Sequence, residues 1–265
     1  MNRHDIHVAT WGTAGSRVVL VHGSAQGSRV SGTSHFSAQE RLAARGWRLI
    51  VPDRPGHGRS PDPHRPDDAE ADGAWVADLL EDGAHLVGHS FGGCVALAAA
   101  VRRPAAVRSL TLIEPAMQKV AIASPHVRKL ILRVIWIMLF STSAAKRAKA
   151  FAKLVGIPEH IRGGSSHEEL TQMGHAIKRL KLPSKKALEQ QLVQIKEQGT
   201  PLLMVTGGWN PAIEAVGDTV ARLGNGQRLV IPSPHHFPQS ISEAFNDALD
   251  AFMRQHDHAR PALRQ

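Results

Sequence analysis

The 265-residue sequence predicts an α/β fold: a mostly parallel sheet with helices on both faces and a helical segment inserted between two strands. Three observations carry this reading. Short apolar runs of strand length alternate with helical patterns along most of the chain. Residues 117–199 interrupt that alternation with basic, helix-forming sequence and no strand-like run. Finally, Gly88-His89-Ser90-Phe91-Gly92 joins an apolar strand directly to an alanine-rich helix. Right-handed crossovers place the C-terminal ends of parallel strands on one edge, where binding chemistry collects.

The elements follow in order. Residues 5–11 and 17–21 read as the first two strands, the second ending at His22-Gly23. A helix is expected around 38–45 and a strand over 47–51, which runs into the turn-rich segment 53–60. A helix over 71–81 and strands over 84–89 and 107–113 come next, with the alanine-rich helix between the two strands. Beyond the interruption, strands 201–206 and 227–231 bracket a helix at 211–223, and a helix over 241–255 closes the order. Residues 1–116 and 200–265 therefore form the expected core, and 117–199 the expected helical cap. Within the cap, the apolar run 130–140 is too short to span a bilayer and carries Arg133. It is expected to be a buried or pocket-lining helix, with Val134, Ile135, Met138 and Leu139 walling the substrate site.

Composition narrows the function classes. The formal charge is +9, and residues 117–199 hold fifteen Lys or Arg against five Asp or Glu, so the rest of the chain is nearly neutral. Solvated helix faces account for that excess, and no nucleic-acid partner is expected without a recognition module or aromatic stacking platform. The N-terminal residues lack a signal-peptide pattern, and no run reaches the length of a membrane span, so a cytoplasmic location without a membrane partner is expected. Cys94 is the single cysteine, which rules out a disulfide within the chain. No histidine spacing suggests a metal, and no cofactor is expected. Nothing in the sequence indicates an oligomeric state.

Ser90 is the candidate nucleophile. Glycines at 88 and 92 permit a turn too tight for side chains, which lifts the hydroxyl above the sheet edge. A serine hydroxyl needs a positioned base, and His235-His236-Phe237-Pro238 follows the last strand, where such a base belongs. With His22-Gly23, Asp53-Arg54-Pro55-Gly56-His57-Gly58-Arg59-Ser60, the serine turn and the inserted cap, the whole chain resembles the α/β-hydrolase superfamily. That resemblance implies an eight-stranded type of sheet, with His236 as the base and His235 as the alternative.

It also implies an acid after the strand ending near residue 206, but there the sequence reads Gly207-Gly208-Trp209-Asn210. Asn210 can orient an imidazole yet cannot stabilise its cation. Glu114, after the strand 107–113, is the expected substitute, with Glu214 and Asp218 as alternatives. A Glu closely followed by Pro at that position, together with His-Phe-Pro, is similar to the fungal zearalenone lactonases. The backbone N–H groups of Ser24 and Phe91 are the expected oxyanion donors. The implied activity is hydrolysis of a carboxylic ester or lactone in a moderately bulky apolar small molecule. A slow or non-catalytic receptor of the same fold, an acyltransferase and a carbon–carbon bond hydrolase are the alternatives. Serine at the elbow, where dehalogenases and epoxide hydrolases of this fold carry Asp, argues against those two chemistries.

Overall fold

In the computed structural model, which describes residues 6–24, 26–27, 30–158 and 164–257, seven strands share one sheet. In chain order they are β1 (Val8–Trp11), β2 (Arg17–Val21), β3 (Arg48–Pro52), β4 (Ala84–His89), β5 (Val107–Ile113), β6 (Leu202–Thr206) and β7 (Gln227–Val230). Their spatial order is β1-β3-β2-β4-β5-β6-β7, with only β1 antiparallel to its neighbour. Each strand falls where an apolar run predicts it. The eighth strand implied by the resemblance is absent from the described residues.

Burial follows position in the sheet. Strands β2, β4, β5 and β6 are buried along nearly their whole length, because helices cover both of their faces. The edge strands β1 and β7 alternate or stay half-exposed. Strand order reverses between β2 and β4, so the loops leaving β2, β4, β5 and β6 open on one edge at the switch point. Gly23, Ser90, Glu114 and Gly207 all lie within two residues of those strand ends.

The helices are α1 (Gly32–His35), α2 (Ala69–Leu79), α3 (Phe91–Arg102), α4 (Pro125–Phe140), α5 (Ala144–Leu154), α6 (His167–Arg179), α7 (Lys185–Glu197), α8 (Pro211–Gly224) and α9 (Glu243–Gln255). The helix expected at 38–45 is instead a 3₁₀ segment, Ser37–Arg45, closed by Gly46. One core lies where α2, α3, α7 and α8 meet the sheet; the other lies where Phe245, Leu249, Phe252 and Met253 of α9 meet Phe36, Leu42 and Trp47.

Helices α4 to α7 fill the segment 117–199 expected as the cap, and both α4, through Val127 and Leu130, and α7 reach the first core. Helix α7 buries Leu188, Leu192 and Ile195 in the same cluster as Leu97 of α3 and Val220 of α8, so it belongs to the layer against the sheet.

Candidate active site

The turn after β4 puts Ser90 at φ 56° and ψ −123°, a conformation that costs a side-chain-bearing residue of order 1–3 kcal/mol. Crossing backbones enforce it. A Cβ on Gly92 would stand 2.2 Å from the Val21 carbonyl oxygen and 2.4 Å from that of His22. The Ser90 N–H donates to the Ile113 carbonyl (2.9 Å), and the Ser90 carbonyl accepts from Ala116 N–H and Gly93 N–H (both 3.0 Å). Serine before a helix usually caps it with its hydroxyl. Ser90 precedes α3 and makes no such bond, so its Oγ is left for other partners.

Glu114 leaves β5 at φ 39°, also left-handed, and its carboxylate is buried. Its Oε2 lies 2.6 Å from His236 Nδ1. Gly207 N–H donates to Oε1 at 2.8 Å, and the Trp209 indole N–H reaches both oxygens at 3.0 Å. Because Nδ1–H is the donor to a carboxylate, the His236 Nε2 lone pair remains as acceptor. The His236 backbone is also held, its N–H donating to the carbonyl of Gly156 after α5 (3.0 Å) and its carbonyl accepting from His89 Nε2–H (2.7 Å).

The other acid candidates are engaged elsewhere. Asn210 caps α8 by accepting from Ala212 N–H at 2.9 Å. Glu214 accepts from Thr206 Oγ, Gly208 N–H and Arg228, and Asp218 accepts from Arg228 Nε at 3.0 Å. His235 Nδ1 accepts from Phe237 N–H at 3.2 Å. The role of Trp209 is not apparent from the sequence, although an indole donor standing where an acid is expected is a usable signal.

Gly23 packs against the serine: a Cβ built on it would lie 3.3 Å from Ser90 Cβ. Its carbonyl takes two buried donors, Arg54 Nη1 at 2.6 Å and His22 Nδ1 at 2.9 Å. A trans peptide points its C=O and the following N–H in opposite directions, so this anchoring turns the Ser24 N–H away from Arg54. Arg54 is fully buried, bound to Asp67 and Asp72, with its guanidinium 4.8 Å from the Phe91 ring centre. Phe91 opens α3, and the first amides of a helix have no acceptor within it. Ser24 is half-buried, and Ser28 of the same loop lies outside the described residues.

Four further histidines pack in a row leading away from His236: His89 against it, then His35, His22 and His57. Since His89 Nε2–H donates to the His236 carbonyl, its Nδ1 must accept, and His35 Nε2–H supplies the proton at 2.8 Å. His22 accepts Arg54 N–H at Nε2 (2.8 Å) and packs against His57. Burial drives His35 and His57 down to about 3 and holds His22 and His89 well below the ordinary 6.5. In the unfolded chain all four take up protons near 6.5, whereas folded they stay neutral. The unfolded state therefore binds more protons below that value, and stability falls with pH. Between pH 6.5 and 5.5 each is expected to cost roughly 1 kcal/mol, about 4 kcal/mol together. Urea midpoints at those two pH values measure the effect, and an unchanged midpoint would contradict the neutral cluster.

A cavity of about 790 Å³ includes Gln26, Gly27, Arg65, Gln172, His175 and Arg179 in its lining. It lies between the loop after β2, the segment after β3 and helix α6, and neither Ser90, Glu114 nor His236 lines it. The residues expected to wall the substrate site are not among its lining. Val134, Ile135, Met138 and Leu139 line neither this cavity nor the one of about 450 Å³ beside Gly207 and Ser233. Ile135 and Leu139 are exposed, Val134 and Met138 half-buried, and α4 packs inward through Val127, Leu130 and Ile137. A run apolar on nearly every side has no phase from which the inward face can be read.

Comparison with known proteins follows the same lines. The family described as alpha/beta hydrolase fold matches residues 16–153. The chain is 35% identical over 133 residues to Lipase LipV of Mycobacterium tuberculosis (strain ATCC 25618 / H37Rv), a match covering 48% of this chain and 47% of that protein. It is 38% identical over 117 residues to 2-hydroxy-6-oxo-2,4-heptadienoate hydrolase of Pseudomonas putida, covering 42% and 40%. The chain thus spans less than half the length of these two curated relatives. Among solved structures, the N-acyl homoserine lactonase AidH complexed with N-butanoyl homoserine superposes with a TM-score of 0.67 at 21% identity, covering 98% of this chain and 95% of that one.

Proposed function

The chain belongs to the α/β hydrolase fold family, and from that premise we propose that it is a serine hydrolase of carboxylic ester or lactone bonds. The observation that carries the reading is the 2.6 Å contact between Glu114 Oε2 and His236 Nδ1, with Ser90, whose hydroxyl is not used to cap its helix, leaving the strand next to β5 at the same sheet edge. In the proposed cycle, Ser90 Oγ attacks the substrate carbonyl carbon while His236 Nε2 takes its proton. Glu114 holds the Nδ1–H tautomer and balances the imidazolium. Phe91 N–H and Ser24 N–H receive the negative charge developing on the carbonyl oxygen, each donor being worth about 3 kcal/mol in sites of this type. The imidazolium then protonates the leaving alkoxide, and water, activated by His236, releases the acyl group from Ser90.

The acid after β5 and the His-Phe-Pro segment support a place in the zearalenone lactonase-like branch. Lactonase among the fold neighbours and lipase among the relatives fit small-molecule esters or lactones as substrates. Residues 117–184 are the segment we assign to the cap.

A fluorophosphonate probe followed by intact mass spectrometry tests the proposal, with a panel of nitrophenyl esters and lactones applied to the labelled preparation. One probe adduct mapping to Ser90, together with turnover of a panel member, is the expected result. Absence of both would refute a serine hydrolase. The panel should include a 2-hydroxy-6-oxo-2,4-dienoate, because the relative in Pseudomonas putida is named as a hydrolase of such a compound.

A further inference from the structure

Helix α4 carries an apolar stripe with nothing packed over it. Leu132 (65% exposed), Ile135 (46%), Trp136 (64%), Leu139 (69%) and Phe140 (63%) fall at the spacing that lines one side of a helix. The opposite side is the one that buries Val127, Leu130 and Ile137. The Trp136 and Phe140 rings lie 5.7 Å apart, one turn along the stripe. Single exposed apolar residues are ordinary, but five large ones in a continuous row mark an interaction surface.

The charge around the stripe identifies the occupant. From Pro115 to Pro158 the sequence contains no Asp or Glu. Arg128 and Lys129, four and three residues before Leu132, sit on the same side of the helix, and Arg133 stands at its margin; all three are exposed. Helix α5, packed beside α4, exposes Lys146, Lys149 and Lys153. None of these six cations forms an ion pair among the described residues. Arg128 donates to the Ile122 and Ala123 carbonyls, which fixes its guanidinium without cancelling its charge.

A second copy of the chain is a poor occupant. A two-fold contact through α4 would bring Arg128, Lys129 and Arg133 against their own images with no carboxylate between them. A bilayer with anionic headgroups meets both requirements at once: phosphates for the cations, and the acyl boundary for Trp, Phe and Leu. No helix among the described residues is long and apolar enough to cross a membrane, so α4 would lie in the interface plane.

We propose that α4 docks this protein onto an anionic phospholipid bilayer, with Leu132, Ile135, Trp136, Leu139 and Phe140 in the interface and the flanking cations at the headgroups. The expectation of no membrane partner rests on the lack of a run long enough to span a bilayer, which does not bear on a helix lying in the interface plane.

Co-sedimentation of the full chain with vesicles of phosphatidylcholine alone, and with roughly one third phosphatidylglycerol, tests the proposal; the charge preference should weaken with added salt. Wild type is expected to bind the anionic vesicles at least about tenfold more tightly. Trp136→Ser/Phe140→Ser should lose about tenfold or more of that binding while keeping its thermal melt and its turnover of a soluble ester. Arg128→Glu/Lys129→Glu should abolish the preference for anionic lipid. The proposal is overturned if wild type binds neither vesicle or both equally, or if the two apolar replacements leave binding unchanged. A concentration-dependent dimer in sedimentation equilibrium, dissolved by the same replacements, would overturn it in favour of a second copy.

Discussion

Ser90→Ala is expected to lower ester turnover by on the order of 10⁴-fold or more while leaving the fold in place. The substitution removes one oxygen and keeps the Cβ. The Ser90 backbone bonds to Ile113, Ala116 and Gly93 do not involve the side chain, and alanine meets the same φ of 56° that serine already tolerates. No helix cap is lost, since the hydroxyl does not serve as one. What remains is substrate binding and any oxyanion stabilisation, which alone give a small residual rate. Initial rates on an ester that wild type hydrolyses, paired with thermal melts, measure both halves of the expectation. Wild-type turnover in a purified variant would remove Ser90 from the chemistry, and fluorophosphonate labelling that survived the change would do the same.

Glu114→Gln is expected to cost about 10²- to 10⁴-fold in kcat. The effect runs through a proton rather than a contact. Gly207 N–H and the Trp209 indole can hold the remaining amide oxygen of a glutamine, which turns its NH₂ toward His236. An amide N–H facing Nδ1 makes that nitrogen an acceptor and moves the ring proton to Nε2, where the base should have its lone pair. Even with the right tautomer, a neutral partner would not stabilise the imidazolium. Asn210→Ala is the control: it removes the α8 cap, worth about 1 kcal/mol of stability, and should leave kcat nearly unchanged. A silent Glu114→Gln in a variant that melts like wild type would refute Glu114 as the acid.

How much of this is legible in the sequence depends on whether the cause is local. The inner strands are legible because a strand covered on both faces is mostly apolar over its few residues, and the turns between them are dense in Gly, Pro and Asp. The Ser90 turn is legible because its glycines are imposed by sterics within five residues. Glu114 could be singled out by its place at the end of β5, but its donors Gly207 and Trp209, some 93 and 95 residues along the chain, could not. Arg54 reads as a turn residue, and only the folded chain shows Asp67, Asp72 and the Gly23 carbonyl closing around it. The exposed face of α4 is illegible for the same reason. An amphipathic period announces an inward face only when the outward face is polar, and here both faces are apolar.

The hydrogen bond from His236 N–H to the Gly156 carbonyl makes the segment after α5 a brace for the proposed base. The same glycine sits at φ 72°, and a Cβ there would come 2.6 Å from the Trp209 ring, the residue whose indole holds Glu114. One position outside the sheet thus bears on the base by its carbonyl and on the acid by its lack of a side chain. Transplanting the inserted helices from a relative, a common route to altered selectivity, would have to deliver a carbonyl and an empty Cβ site to this spot. A graft chosen only for the shape of its pocket would loosen the His236–Glu114 pair it was meant to serve.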